Sequence, residues 1–235
     1  HGTYEYSING GGSWQSSGSY TGLTPGTYNV QIRDAGFTTC YIILNSSLVL
    51  TQPAVLSATL ASTNVTCHAA NDGTITFSAP SGGFGTYEYT VNGGTSWVSS
   101  GSFSSLAPGT YDVRIRDAAH TACFVILNGG LQITEPDAMT ATVVASNISC
   151  FGANDGVITI TNAAGGYGTY QFSINGGTTW QNSPAFSPLT PGSYDVRMRD
   201  RAHIGCAITL NPAVLITEPA VLNAVVASTN VTCNG

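Results

Sequence analysis

The chain repeats itself with a period of 83 residues, and this period limits its architecture more than any other feature. Tyr4, Tyr87 and Tyr170 are one position seen three times. The same spacing separates three tryptophans, three prolines and two sets of three cysteines (Trp14, Trp97, Trp180; Pro53, Pro136, Pro219; Cys40, Cys123, Cys206; Cys67, Cys150, Cys233). An array of near-identical units supplies length and multivalency rather than one active site, so the repeat argues against an enzyme.

The period divides the chain into four segments. We expect residues 1–53 to be a partial repeat that lacks its first strands, and 54–136 and 137–219 to be complete repeats. Residues 220–235 are expected to hold the first strand of a further repeat. Because both ends fall inside the pattern, we expect the chain to be a window on a longer array. An 83-residue segment is long enough for a small domain with a modest core of its own.

Composition narrows the class of protein. Only 8% of the residues are charged and 42% are hydrophobic, so a disordered chain is not expected. The net charge of −6, with basic residues concentrated on one short strand per repeat, argues against a nucleic-acid partner. The sequence has no long apolar run, so we expect no membrane insertion in this segment.

The repeat 54–136 has the pattern of an all-β domain. Hydrophobic residues alternate with polar ones around Ile75 and Phe77, and Asn92-Gly93-Gly94 is a strong hairpin signal. Pro108-Gly109 precedes Tyr111 at the start of an alternating strand, which matches the tyrosine corner of immunoglobulin-like sandwiches. We therefore predict tandem immunoglobulin-like β-sandwiches of six to eight strands each. The last strand is expected to break at residues 128–130.

The cysteines predict an oxidising, extracellular compartment. Each period carries two cysteines at matching places. A zinc site is the competing interpretation, but the sequence contains no Cys-x-x-Cys pair to support it. Pairing within a repeat is preferred because one folded unit would then hold both thiols. It gives the pairs Cys67–Cys123 and Cys150–Cys206. Pairing across the junction stays open as the alternative (Cys40–Cys67, Cys123–Cys150, Cys206–Cys233).

Two further groups of residues are candidates for ligand contacts. Trp14, Trp97 and Trp180 could form a ladder of aromatic platforms for sugars, although one core tryptophan per sandwich is the plainer interpretation. The turns at 71–73 and 154–156, with a carboxylate such as Asp117, could contribute to a calcium site. Calcium needs six to eight oxygen ligands and only one acidic side chain is local, so no cofactor is the preferred expectation.

Neither the basic strand nor the rest of the chain predicts a catalytic site. Arg114, Arg116 and Asp117 could bind an acidic polymer, but a solvated strand face with ion pairs between strands explains them as well. His120 and His203 occur once per repeat, without a positioned nucleophile nearby in the sequence. We therefore expect no catalytic residues and no resident metal.

The motifs together resemble a known family. They are Ala-Asn-Asp-Gly after a cysteine, Gly-Gly-x-Gly-Thr-Tyr-x-Tyr, Asn-Gly-Gly-Thr-x-Trp, Leu-x-Pro-Gly-Thr-Tyr-x-Val-x-Ile-Arg-Asp and Ile-Thr-Glu-Pro. This combination is similar to the SprB-type repeat of large surface adhesins in gliding Bacteroidetes. The resemblance covers the whole chain, and it supplies no catalytic residues.

The resemblance implies a cell-surface location, export by the type IX pathway, and a role in adhesion or gliding. We expect a repetitive surface filament that gives reach and multivalent attachment, with surface polysaccharide or other cells as partners besides the neighbouring repeats. The alternative is a self-assembling structural fibre or sheath, a homopolymer with no foreign ligand.

Overall fold

The computed structural model describes residues 2–233, in which all regular secondary structure is β. The chain forms two compact units, one of residues up to Ser57 with 80–87 and 116–125, and one of the remaining residues from Ala58 onwards. The strands are β1 Tyr4–Ser7, β2 Gly26–Asp34, β3 Tyr41–Leu50, β4 Ser57–Thr63, β5 Gly73–Ser81, β6 Tyr87–Thr90, β7 Ser102–Leu106, β8 Gly109–Asp117, β9 Phe124–Ile133, β10 Thr140–Ser146, β11 Gly156–Ala164, β12 Tyr170–Ser173, β13 Ala185–Leu189, β14 Gly192–Asp200 and β15 Ala207–Ile216. Among the described residues, no helix is long and apolar enough to cross a membrane.

Each complete repeat contains two three-stranded antiparallel sheets. In the repeat 137–219 the strand orders are β10-β11-β13 and β12-β14-β15, and in the repeat 54–136 they are β4-β5-β7 and β6-β8-β9. With the six strands read as A, B, C, E, F and G, these orders are A-B-E and C-F-G. That is the arrangement of an immunoglobulin-like sandwich without its D strand. The predicted fold class is confirmed, with six strands per repeat.

The core of the repeat 137–219 lies between its two sheets. Ile158 and Ile160 on β11 and Leu189 on β13 face it from one sheet. The other sheet contributes a matching set (Phe172, Val196, Met198, Val214, Ile216). Side chains that alternate along a strand point to opposite faces, so Val196, Met198 and Asp200 are the buried residues of β14. Ile75 and Phe77 in the preceding repeat are buried in the same way, as their alternation predicts.

A tyrosine corner precedes the F strand of each repeat. The Tyr111 hydroxyl donates to the carbonyl oxygen of Ala107 at 2.7 Å, and the Tyr194 hydroxyl donates to Thr190 O at 2.8 Å. Tyr28 makes the equivalent bond to Thr24 O at 2.6 Å. The bond ties the turn before the strand to the strand itself, which confirms the prediction made from the Pro-Gly-x-Tyr motif.

The last strand of the repeat is continuous, so the predicted break at residues 128–130 is wrong. β9 runs through these residues, and its counterpart β15 runs through Asn211. The pairing of β14 with β15 shifts register at Asn211, whose side-chain oxygen accepts a hydrogen bond from Ala213 N at 2.9 Å. An Asn that bonds its own backbone two residues on stabilises a local bulge without ending the strand.

The two incomplete segments behave differently. Residues 1–53 form the sheet β1-β2-β3, which is equivalent to C-F-G of a complete repeat. Residues 220–233 form no strand. In the complete repeats the equivalent strand, β10 for example, pairs with the strand that follows it. The assignment of these two segments to flanking repeats stays a prediction.

Candidate functional site

A disulfide joins the two complete repeats. Cys67 and Cys206 are bonded with a Cα–Cα distance of 5.4 Å and a sequence separation of 139. Cys67 follows β4, in the loop that leads to β5, and Cys206 directly precedes β15. The remaining four cysteines are free and exposed (Cys40, Cys123, Cys150, Cys233).

Both predicted pairings are therefore corrected. The preferred pairs Cys67–Cys123 and Cys150–Cys206 are absent because Cys67 and Cys206 are bonded to each other. The repeat 137–219 shows the physical reason. Ile148 N donates to Thr217 O at 3.0 Å, which holds the Cys150 loop at the end of β15, while Cys206 lies at its start. Ten strand residues separate the two ends by roughly 30 Å, far beyond disulfide reach. The alternative pairs across the junction are excluded where they involve Cys67 or Cys206.

The loop that carries Cys67, residues 64–72, is held in shape from both sides. The Asp72 carboxylate accepts hydrogen bonds from the Thr66 hydroxyl and from Thr66 N at 2.8 Å. The Glu135 carboxylate accepts a bond from Ala69 N at 2.6 Å and lies 3.4 Å from His68 Nδ1. We call residues 64–72 the plug loop. Its hydrogen bonds to Thr66 hold the pKa of the Asp72 carboxyl below its usual range.

The receiving surface in the next repeat is built around a buried aspartate. Asp200 is fully buried and accepts hydrogen bonds from Tyr167 N at 2.7 Å and Ala202 N at 2.8 Å. The Tyr167 ring stacks on His203 with centroids 3.7 Å apart. The Tyr167 hydroxyl then donates to Thr66 O of the plug loop at 3.0 Å. We call Tyr167, Asp200, His203 and Cys206 the socket.

A small open cavity lies beside the disulfide, between the plug loop and the next repeat. It measures about 170 Å³ and is lined by Cys67 and His68 from one repeat and by Met139, Gly166 and Cys206 from the next. Gly166 N donates to Asp137 O at 2.8 Å, which fixes the start of the second repeat against the socket. The site is therefore a junction between repeats.

The comparisons with known proteins identify the repeat. A family model described as the SprB repeat matches residues 59–96 and again residues 142–179, which are equivalent stretches of the two complete repeats.

The chain carries two SprB repeats.

No curated protein matches the chain significantly, and no solved structure does so. Each match includes one plug-loop cysteine, Cys67 or Cys150, and ends just before a tryptophan. The SprB repeat is a structural repeat family.

Trp14, Trp97 and Trp180 each follow a hairpin turn and are half-buried. The Trp14 Nε1 donates to Gly11 O at 3.0 Å, which holds the ring against the hairpin turn. The Arg33 guanidinium lies over the Trp14 ring at 4.3 Å from its centroid, and Arg199 lies over Trp180 at 4.5 Å. Cation–π contacts of this kind use one face of the ring. That Trp14, Trp97 and Trp180 face a ligand stays a prediction.

Carboxylates accompany the arginines of the basic strand. The Arg197 guanidinium donates to Asp195 at 2.7 Å, and Arg114 donates to Asp112 in the same way. These bonds lower the pKa of both carboxyl groups. Arg33 pairs with Glu5 on the neighbouring strand at 2.7 Å. Ion pairs thus neutralise much of the positive charge on this strand face, so less of it is free to bind an acidic polymer.

The residues of the calcium hypothesis are engaged in hydrogen bonds. Both oxygens of Asp72 accept from Thr66, and Asp155 accepts from Ser149 N at 2.9 Å and from its hydroxyl at 2.6 Å. Asp117 is fully buried and bonds to backbone N–H groups of its own loop. Within residues 2–233 no group of three or more His, Cys, Asp or Glu side chains is placed to hold a metal ion. The expectation of no cofactor, with calcium as the lesser alternative, stays a prediction.

Sequence reasoning missed the socket. Asp117 was interpreted as a surface carboxylate, whereas it and Asp200 are buried acceptors. The signal was present, because an aspartate ends the F strand in all three repeats and a histidine follows it by three residues in two of them (Asp34, Asp117, Asp200; His120, His203). An aspartate that recurs at the end of an otherwise apolar alternation indicates a buried loop acceptor.

Proposed function

We propose that the chain is part of a repetitive extracellular filament, an adhesin that gives reach and multivalent attachment at the cell surface. SprB repeats form a structural repeat family that is associated with cell-surface proteins, which supports this location. A disulfide between repeats fits an oxidising compartment outside the cytoplasm.

The observation that carries the proposal is the covalent junction between consecutive repeats. The Cys67–Cys206 bond and the hydrogen bond from Tyr167 to Thr66 hold neighbouring repeats in register. A surface presented once per repeat is then offered many times along one chain. Weak contacts gain avidity when they are linked, because each later contact forms at a raised effective concentration.

The attachment would be to surface polysaccharide or to other cells. The tryptophan beside each hairpin gives every repeat one amphipathic ring near the surface, and aromatic rings of this kind suit sugar faces. Gliding over surfaces and export by the type IX pathway belong to the same proposal, since they follow from the resemblance to gliding adhesins.

The test is density-dependent attachment of the whole chain. The chain is coupled to beads at graded densities, and bead retention is measured on polysaccharide-coated surfaces and on cells. We expect retention to rise more steeply than in proportion to density, and to fall in a variant with Trp97→Ala and Trp180→Ala. Retention no better than that of bare beads, at every density and on every surface, would contradict the proposal.

A second candidate function is a self-assembling fibre or sheath. Two apolar side chains on the last strands of the complete repeats favour it, because Ile126 is 52% exposed and Leu215 is 63% exposed. Apolar residues at outward strand positions can bury themselves against another chain. Sedimentation over a wide range of concentration tests this function. Assembly that Ile126→Ser and Leu215→Ser abolish supports it, and a monomer throughout excludes it.

A further inference from the structure

The repeat 137–219 carries a second plug loop, which meets no socket among residues 2–233. Residues 147–155 are equivalent to the plug loop 64–72, and their cysteine, Cys150, is a free, exposed thiol. Phe151 beside it is 57% exposed. The question is whether this loop has the conformation of the one that is already bonded.

Four hydrogen bonds that shape the plug loop recur in the second loop. Ser149 donates to Asp155 from both its backbone and its hydroxyl, as Thr66 does to Asp72. Gly152 N donates to Glu218 at 2.9 Å, as Ala69 N does to Glu135. The turn that begins at the cysteine is the same in both loops, since Ala153 N donates to Cys150 O at 3.0 Å and Ala70 N donates to Cys67 O at 3.0 Å. The free loop therefore holds the bonded conformation without a partner.

The socket is likewise formed before anything fills it. Phe84 stacks on His120 with centroids 3.8 Å apart, as Tyr167 stacks on His203. Phe84 N donates to the buried Asp117 at 2.6 Å, as Tyr167 N donates to Asp200. A cavity of about 350 Å³ lies next to the free Cys123. Eight of its nine lining residues are equivalent, one period earlier, to residues that line the Cys206 cavity, and no plug-loop residue is among them. Both halves of the junction are thus intrinsic to each repeat.

We propose that the Cys150 loop is a docking plug for a further SprB repeat placed after Pro219, and that Cys150 forms a disulfide with the cysteine of that repeat equivalent to Cys206. The rule is general: the plug-loop cysteine of each repeat pairs with the socket cysteine of the next, 139 residues further on, as Cys67 does. This inference concerns the construction of the array and does not depend on what the array attaches to.

The bond forms by oxidation of the two thiols. Each thiol loses one proton, the pair loses two electrons, and a sulfur–sulfur bond forms. A small-molecule disulfide such as oxidised glutathione accepts the electrons and is reduced to two thiols, so atoms and electrons balance.

The experiment supplies the missing socket. A second copy of residues 137–219 is inserted after Pro219 in the full chain, and both the inserted plug-loop cysteine and the equivalent Cys233 are changed to Ser, so that Cys150 is the one plug-loop cysteine left without a partner. The protein is oxidised with glutathione, its free thiols are alkylated, and its disulfides are mapped by mass spectrometry. We expect loss of alkylation at Cys150 and a peptide pair that joins it to the inserted socket cysteine. Cys123, equally exposed and given no new plug, should stay fully reactive.

The matched control changes the inserted socket cysteine to Ser, which should restore alkylation of Cys150. A second measurement follows the rate at which Cys150 is alkylated under reducing conditions, where docking alone protects it. Slower alkylation than in the uninserted chain supports the plug. An unchanged rate, a free Cys150 after oxidation, or a bond from Cys150 to Cys123 instead would each overturn the proposal. The Cys67–Cys206 peptide pair reports that the inserted protein is folded.

Discussion

Single hydrogen bonds set the shape of the turns and loops in each repeat, and many of their acceptors are backbone carbonyls and carboxylates. Asp117 accepts bonds from Phe84 N, Ala119 N and His120 N at 2.6, 2.9 and 3.0 Å. Tyr111 donates to Ala107 O at the other end of the same strand. One strand is therefore fastened at its start by a tyrosine and at its end by an aspartate.

Replacing Tyr111 with Phe removes the corner bond and keeps the ring. We expect the unfolding free energy to fall by about 1 kcal/mol, the usual net value of one hydrogen bond. Urea denaturation followed by tryptophan fluorescence measures the change. Tyr41→Phe is the control, because that ring is 55% exposed and should tolerate the loss. Equal midpoints for Tyr111→Phe and the wild type would show that the corner bond contributes nothing.

The carboxylate of Asp117 makes stability depend on pH. The Phe84 N–H, with the N–H groups of His120 and Ala119, holds the pKa of this carboxyl below its usual range. A depressed folded-state pKa adds stability above the unfolded pKa of about 3.9, and that stability is lost as the pH falls through the folded value. We expect the melting temperature to fall on acidification from about pH 6 to pH 3, and less steeply in Asp117→Asn. An equally steep fall in the variant would contradict this role.

Sequence patterns predicted the tyrosine corner but not the buried aspartate. Tyr111 is preceded by Pro-Gly, a turn whose geometry is local, so the motif alone indicates where the hydroxyl points. The partners of Asp117 include Phe84, 33 residues away. From its charge alone such a residue is assigned to the surface. The N–H groups that bond to it come close only when the loops have folded.

Among the elements, the turn between β11 and β12 decides how the repeat 137–219 begins. Gly165 has a φ of +80°, and a Cβ there would lie 2.0 Å from Ala138 O. The next residue, Gly166, bonds to Asp137 O. The turn can approach the preceding segment this closely only because residue 165 has no side chain.

Gly165→Ala should therefore be far more damaging than the same change three residues later. Gly168 has a φ of +82°, but a Cβ there meets nothing within 4 Å. We expect Gly168→Ala to cost about 1 kcal/mol from backbone strain alone, and Gly165→Ala about 3 kcal/mol because the carbonyl must also move. Thermal unfolding of the two variants measures the difference. Similar melting temperatures for the two variants would show that the close approach of Gly165 to Ala138 does not contribute to the free energy of unfolding.

The strands themselves were largely predictable from alternation, since Ile75 and Phe77 are both buried as their pattern predicts. The error at residues 128–130 has a physical reason. An Asn-Gly-Gly sequence favours a hairpin when it stands alone, whereas here Asn128 lies inside β9, which pairs with β8. The equivalent Asn211 stands at a register shift in β15, which does not end that strand.

At the scale of the whole molecule, the disulfide links residues that no spacing argument would pair. The plug loop and the socket cysteine of one repeat lie at opposite ends of its last strand, so only a neighbour can supply the partner. The sequence shows both cysteines but not the end of the sandwich at which each one lies. That position follows only from the strand order.

Removing this bond should destabilise the pair of repeats more than any surface substitution. We expect the double variant Cys67→Ser with Cys206→Ser to lose about 4–5 kcal/mol, the value that loop entropy gives for a loop of this length. Calorimetry of the oxidised chain, the reduced chain and the double variant measures it, with Cys40→Ser as the control. A melting curve that neither reduction nor the double variant shifts would show that the bond is absent in solution.

The same bond changes what happens when the chain is pulled. Tension applied before Cys67 and after Cys206 passes through one sulfur–sulfur link and bypasses the residues between them, which therefore cannot be drawn out even if they unfold. Fully extended, those residues would add roughly 450–500 Å of contour length. The disulfide thus limits extension. Under load, an oxidised chain of these repeats does not release this contour length, whereas a reduced chain does.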